Sequence, residues 1–426
     1  MLTRSEEHPA IAHVAVWCIC AVSIAGVLTR YKKIGEWVWA VGGALLLGVS
    51  GLLPWRDVVT AVGRGTDVYL FLTGMMVLAE LARREGVFDW IASHAVRASR
   101  GSCWRLFGLV YGVGIIVTAV LSNDATAVVL TPAVAAAVRK AKVEPLPYLF
   151  ACAFIANAAS FVLPISNPAN LVVFADRLPA LGKWLVAFGL PSVLAIGATY
   201  VMLALASRRG LKGRVATEVA SVTLPASGRL TLGGIVATAA ILIAASSRGA
   251  PLGITTCICG AVVFAAITVR DRAAARDVAL SISWSVLLLV AGLFVLVAGM
   301  DATGLLDVTR GAVQALVHWP PWVAVLAAGG VPAFAANAMN NLPAGLIAGS
   351  SVTSLHGHDA VRSAIAIGID LGPNLSVTGS LATVLWLIAL RREAIAVNAW
   401  TFLRTGVLVM PPALLLALES ILLTTS

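Results

Sequence analysis

The sequence predicts an all-α polytopic membrane protein made of two inverted-topology repeats, and three observations predict it. Hydrophobic residues make up 59% of the 426 and charged residues 12%, with a mean hydropathy of +0.94, whereas globular chains approach a quarter charged. Apolar runs of roughly 20 residues, enough to cross about 30 Å of hydrocarbon, recur from one end to the other. The chain also repeats itself: residues 73–91 align without gaps on 291–309, a displacement of 218 that pairs Gly74 with Gly292, Gly86 with Gly304 and Asp89 with Asp307.

The N-terminal repeat is read as 1–207. Its polar start and the lack of a small-residue cleavage site make the run 10–29 a first span rather than a removable leader. Spans 35–53 and 67–83 follow, then two half-length helices, 103–121 and 125–138, meeting at the polar tip SNDATAVVLTP to form a hairpin over 103–138. A helix over 146–176 is broken at LPISNPAN, and 183–207 closes the repeat. Residues 208–228, the longest polar connection, form a cytoplasmic linker.

The C-terminal repeat, 229–426, has the same plan: 229–247, 252–269 and 284–300, the half-helices 320–336 and 342–349 in a hairpin over 320–349, a broken helix over 360–390, and 398–424. The displacement of 218 places Asn123 on Asn341, and LPISNPAN (163–170) corresponds to VTGSLAT (377–383) at a displacement of 213. This gives about 10 spans plus 2 hairpins, or 12 spans by simple count. Either way the parity inverts the second repeat.

Charge placement sets orientation. Of the 30 Lys and Arg, 22 fall on one face, among them Arg30, Lys32, Lys33, Arg83, Arg139, Arg270 and Arg392, and 8 on the other, including Arg177. The first face is therefore cytoplasmic in the inner membrane, with both termini outside. The net charge of +10 reports that bias and not a nucleic-acid surface. The six cysteines sit in or beside apolar runs without zinc-site spacing, so they serve as small apolar fillers and imply neither metal nor cofactor. Cys18 and Cys20, like Cys257 and Cys259, would point about 200° apart on a helix. His356 and His358 fall in a loop, and no hydrolytic metal motif is present.

Helices broken at mid-depth survive only around a cavity or inside protein. The side chains at the four breaks are neutral donors and acceptors, and Ser122, Asn123, Thr126, Asn167, Asn170, Asn340, Asn341, Ser380 and Thr383 are the candidate substrate ligands, with Asn374, Ser376 and Thr378 beside them. Lacking Lys or Arg, the set suits a small, uncharged, polyhydroxylated solute. Turn chemistry makes Asn167 an N-cap before Pro168, Asp124 a cap for 125–138, Pro343 the opening of 342–349, and Asn374 and Ser376 the start of the half-helix after Gly372-Pro373. Asp124 and Asp370 are the carboxyls at these breaks, and carboxyls at that depth are candidates to carry a coupling proton.

SNDATAVVLTP, NNLPAG, DLGPN and GSLATVLWL resemble the ArsB-type arsenite/antimonite efflux permeases of the ion transporter superfamily, over a stretch from residue 35 to the C-terminus. The resemblance implies two inverted repeats, hairpin tips at Ser122-Asn123-Asp124 and Asn340-Asn341, and proton-driven export of trivalent arsenic and antimony. It also allows for a cytosolic arsenite-stimulated ATPase as partner. Arsenous acid is a neutral pyramid of three hydroxyls, which agrees with the uncharged donor set. A sodium/proton antiporter on the same scaffold is the alternative, since two intramembrane carboxyls permit it.

Overall fold

The computed structural model describes residues 4–29, 34–175, 178–216, 222–269, 272–352 and 358–424. Arg30, Lys32, Lys33, Arg177, Arg270 and His356, used above for orientation and class, lie outside these, as do linker residues 217–221.

The first eleven helices are α1 (Arg4–Thr29), α2 (Glu36–Val49), α3 (Trp55–Arg64), α4 (Thr66–Arg84), α5 (Val87–Ala98), α6 (Cys103–Val120), α7 (Asn123–Ala125), α8 (Thr131–Lys140), α9 (Leu146–Ala158), α10 (Pro168–Val173) and α11 (Leu181–Ser207). Ten more follow: α12 (Ala226–Ser247), α13 (Leu252–Thr268), α14 (Arg272–Ser281), α15 (Ser285–Asp301), α16 (Leu305–Leu316), α17 (Pro321–Met339), α18 (Asn341–Val352), α19 (Asp359–Leu371), α20 (Leu381–Arg392) and α21 (Ala399–Thr424). A π-helical turn, Thr126–Leu130, joins α7 to α8. Short 3₁₀ turns, Pro164–Ser166 and Gly372–Asn374, sit in the two broken helices.

The fold is the all-α, polytopic, two-repeat class that the sequence predicts. Among the described residues seven helices are long and apolar enough to cross a membrane, or eight if α3 and α4, bent by 47° at Gly65, count as one span; the seven include the hairpin arms α6 and α17, expected as half-length helices but 18 and 19 residues long. The shorter apolar helices α2, α9 and α13 complete the plan. The 35–53 span ends early, at Val49, because the chain turns through Ser50 and Gly51, the latter at φ +72°. Four short helices outside the expected spans, α3, α5, α14 and α16, link the longer ones.

The two repeats pack on one another reciprocally: α4 lies along α13, α15 along α2, and the closing helices α11 and α21 lie together. Likewise α10 packs on α18 and α20 on α8 and the π turn, so each half-helix leaving a break leans on the hairpin of the other repeat. The aligned glycines explain how the long helices approach. A Cβ on Gly74 would collide with the Thr256 backbone in α13, and one on Gly292 would come within 2.6 Å of the Ala40 carbonyl carbon in α2. In a bilayer, where apolar burial alone does not drive helices together, such close backbone contact supplies the packing energy. Gly86 and Gly304 are matched too, adopting φ +72° and +84° at the N-termini of α5 and α16, a conformation that other residues adopt at a cost.

Overpacking a close crossing costs about 1–3 kcal/mol. Gly74→Ala and Gly292→Ala are therefore expected to lower the thermal stability of detergent-purified protein. Gly42→Ala, at a position with open space around it, should leave it unchanged.

Candidate functional site

The first hairpin tip is made by Ser122, whose backbone is extended and whose Oγ accepts from the Ala125 N–H at 3.2 Å. This corrects the sequence expectation that Asp124 caps the second arm: the helix begins at Asn123, two residues before 125, so the cap belongs to Ser122. Asp124 is thereby released to line the cavity described below. Thr126 accepts or donates across the hairpin to Thr118 at 2.8 Å, tying the arms together. The π turn follows from Pro132, which has no N–H for the Val128 carbonyl. The Thr131 N–H and its Oγ1, at 3.0 Å, both turn to the Thr126 carbonyl instead.

The second tip is Asn340, held at φ 75° and ψ 152°, with its Oδ1 accepting from the Leu342 N–H at 3.3 Å. Asn341 then opens α18, with Pro343 in its first turn. The Oδ1 of Asn341 is buried without a hydrogen-bond partner among the described residues.

In the first broken helix, Asn167 caps α10 as expected, its Oδ1 accepting from the Ala169 N–H at 3.0 Å with Pro168 as first helical residue. Asn170 reaches back to the carbonyls of Ser160, at 2.8 Å, and Leu163, at 3.5 Å, and so braces the break. In the second, α20 begins at Leu381, where Ser380 and Thr383 form a reciprocal capping box with both bonds at 3.2 Å. The expected start at Asn374 and Ser376 is corrected. Ser376 and Thr378 are held by Asn337 of α17, at 2.6 and 3.2 Å, and Asn374 is held by Asn157 and the Phe154 carbonyl, each at 3.0 Å. Those contacts come from helices remote in sequence, so local turn chemistry does not show them.

The four breaks converge. A cavity of about 10 Å³, room for about one water, is lined by Asn123, Asp124, Asn167, Pro168, Asn341, Leu342, Leu381 and Ala382, with Leu72 and Val286 as walls. Asn123, Pro168, Asn341 and Leu381 are the first residues of α7, α10, α18 and α20. Four helix N-termini therefore face one small space, and the unpaired N–H groups of a first turn favour oxygen-bearing guests. The lining holds one ionisable side chain, Asp124, and no Lys, Arg or His.

The candidate residues thus separate. Asn123, Asp124, Asn167 and Asn341 line the cavity, and Ser122 lines the next chamber. Thr126, Asn170, Asn340, Ser380 and Thr383 build the tips and caps behind it. Asp370 is buried behind Asn167, whose Nδ2 donates to its Oδ1 at 2.7 Å. Asn157 escaped the sequence reading, although the displacement of 213 places it on Asp370.

A path leads outward from the cavity. Leu72, Asp124 and Val286 also line a chamber of about 80 Å³, which shares Glu80, Val128, Val129, Ser281, Ser283, Val286 and Leu385 with a vestibule of about 760 Å³. Glu36, Glu80, Arg83, Asp89, Arg392 and Glu393 rim that vestibule. At the same end Arg139 binds the Glu393 carboxylate at 3.2 Å and its carbonyl at 2.9 Å, tying α8 to the end of α20.

Paired helix breaks, reciprocal repeats and a chamber joining the central cavity to a vestibule define a membrane transporter. The chain belongs to the citrate transporter (CitMHS) family, whose model matches residues 24–369. It is 28% identical to the arsenical pump membrane protein of Escherichia coli over 96% of this chain and 98% of that one. The counterpart in Yersinia enterocolitica is also 28% identical, over 92% and 94%. An uncharacterised transporter of Mycobacterium tuberculosis is 26% identical over 88% and 90%. The resemblance to arsenical permeases seen in the motifs thus extends along nearly the whole chain. Among solved structures, the Alcanivorax borkumensis YdaH transporter, reported to have an unusual topology, has the same fold, with a TM-score of 0.57 and 18% identity over 98% of both chains. The Neisseria gonorrhoeae MtrF efflux pump matches with a TM-score of 0.53 and 10% identity over 98% and 94%.

Asn340 offers a direct check on the second tip. Its backbone lies where residues other than glycine are strained by about 1–3 kcal/mol. Asn340→Val should lower the melting temperature of purified protein more than Asn340→Gly, which keeps the backbone and loses only the cap.

Proposed function

We propose that the chain exports trivalent arsenic and antimony, as arsenite and antimonite, across the cytoplasmic membrane, and that it does so as a proton-coupled secondary antiporter by alternating access. The observation that carries the reading is the central cavity, where four helix N-termini, three amides and one carboxyl meet without a cationic side chain. Arsenous acid fits that chemistry. Its oxygens accept from first-turn N–H groups and from amide N–H, while its hydroxyls donate to the buried, unpartnered Oδ1 of Asn341 and to Asp124. Citrate, which names the family, carries several charges that would lack a Lys or Arg partner here. Similarity to arsenical pumps along the chain supports the same solute.

In this reading the repeats are 1–207 and 229–426, joined by 208–228 on the cytoplasmic side, with both termini outside. The vestibule rimmed by Arg83 and Arg392 then opens to the cytoplasm, and the structure is the state that admits solute from within. Ser122, Asn123, Thr126, Asn167, Asn170, Asn340, Asn341, Ser380 and Thr383 bind solute or shape its site. Asp124 and Asp370 carry the proton that enters as solute leaves. A cytosolic arsenite-stimulated ATPase would meet the cytoplasmic face. Because the membrane chain holds the whole path, expression without that partner should already protect cells, and greater protection on co-expression would report the partnership.

Transport is measured as arsenite accumulation in everted vesicles under an imposed pH gradient. Loss of one site hydrogen bond costs about 1–1.5 kcal/mol, roughly tenfold in affinity, so Asn123→Ala and Asn341→Ala should each raise the half-saturating arsenite concentration by about that factor. A variant lacking all six cysteines should still transport. Sodium flux without metalloid accumulation would instead make the chain a sodium/proton antiporter and sink the arsenite assignment.

A further inference from the structure

Among the buried side-chain bonds that cross between the repeats beside the cavity, two are counterparts of each other. Asn167 Nδ2 donates to Asp370 Oδ1 at 2.7 Å, and Ser380 Oγ donates to Asn157 Oδ1 at 3.2 Å. The displacement of 213 that superposes Asn167 on Ser380 also superposes Asn157 on Asp370. Asn157 and Asp370 are each the next-to-last residue of their half-helix, α9 and α19. The same strut has thus been built twice: the end of one half-helix grips the N-cap of the half-helix that leaves the break in the other repeat.

The copies differ in one respect. Both polar atoms of the Asn157 amide are bonded, because its Nδ2 also donates to Asn374 Oδ1 at 3.0 Å. Asp370 has one oxygen bonded to Asn167, while its Oδ2 is buried without a partner among the described residues. A carboxylate with a single hydrogen bond in a dry interior is an expensive charge. The helices packed on α19 bring no counter-ion to it. Among them α10, α17 and α18 hold no ionisable side chain. Those elsewhere are Tyr148 and Cys152 on α9, Lys183 and Tyr200 on α11, Arg404 and Glu419 on α21, and Asp359 and Arg362 on α19 itself. Among the described residues none of these forms an ion pair with Asp370.

We propose that Asn157 and Asp370 are equivalent positioning residues that hold the caps of α20 and α10 against the cavity, and that a proton on Asp370 is felt by the solute through Asn167. This deepens the reading above and rests on it for the identity of the solute. Asn167 has three simultaneous tasks: it caps α10, lines the cavity and donates to Asp370. Loss of a proton from Oδ2 leaves a charge that needs a second donor, and the amide and any water admitted past it are what the geometry supplies. Solute and Asp370 therefore draw on the same group. The Asn157–Ser380 strut has no proton to lose and serves as the fixed counterpart.

The test uses the full chain reconstituted in liposomes. One readout is the infrared C=O stretch of a buried, protonated carboxyl in pH-difference spectra, which requires no solute; the other is the pH profile of arsenite counterflow. Asp370→Asn keeps an oxygen to accept from Asn167, and it should abolish the Asp370 band and flatten the profile. Adding Asn157→Asp moves a carboxyl to the equivalent strut and should bring back a buried-carboxyl band but not the profile, because Ser380 does not line the cavity. Asn167→Ala should shift the band of an intact Asp370. A wild-type band and profile in Asp370→Asn, a wild-type profile regained in the double variant, or a band that ignores Asn167→Ala would each overturn the proposal. Should the band respond as described while arsenite is not carried, the struts stand and the solute assignment fails.

Discussion

Unwound backbone at membrane depth needs partners inside the protein, and the rest of the structure is arranged to meet that need. Four chain breaks are each closed by a side chain that supplies the acceptor a helix start lacks: Ser122, Asn167, Asn340 and Ser380. Because every cap sits at the start of a half-helix, each break leaves an N-terminus directed at the same space. The polar site follows from the breaks and their caps, so that residues satisfying backbone and residues facing the guest are neighbours in sequence.

Reciprocity is the second constraint. The half-helix leaving each break packs on the hairpin of the other repeat, so neither half alone encloses the cavity. Glycines matched by the internal repeat let α4 meet α13 and α15 meet α2 at backbone distance, which fixes how deeply the repeats interlock. The matched struts at Asn157 and Asp370 extend the same logic to the caps. The repeats share their packing glycines and differ at one strut residue, so the architecture is matched while one of two otherwise equivalent places carries an ionisable group.

Much of this was legible in the sequence because it is local or periodic. Apolar length marked the spans, Asn167-Pro168 marked a helix start, and constant displacements aligned the halves. What escaped depended on contacts between distant segments. Asp124 is as good a cap by type as Ser122, and only the extended backbone at Ser122 decides between them. Asn374 and Ser376 look like a helix start, but Asn157 and Asn337 from other helices occupy them first. Asn157 itself lies inside the apolar segment LPYLFACAFIANA, where a lone amide carries no signal until the repeat aligns it with Asp370. The short helices α3, α5, α14 and α16 mix charge with apolar residues over 10 to 12 positions, too few for a membrane-length signal.

The meeting of the two hairpin tips is the centre of the account, and proximity measures it most directly. Cysteines placed at 123 and 341 in an otherwise cysteine-free chain, in native membranes, should be joined by a short thiol-to-thiol cross-linker, and arsenite should slow the joining. Pairs that stay unlinked, or that react freely with a lipid-confined thiol reagent, would contradict a shared cavity between the repeats.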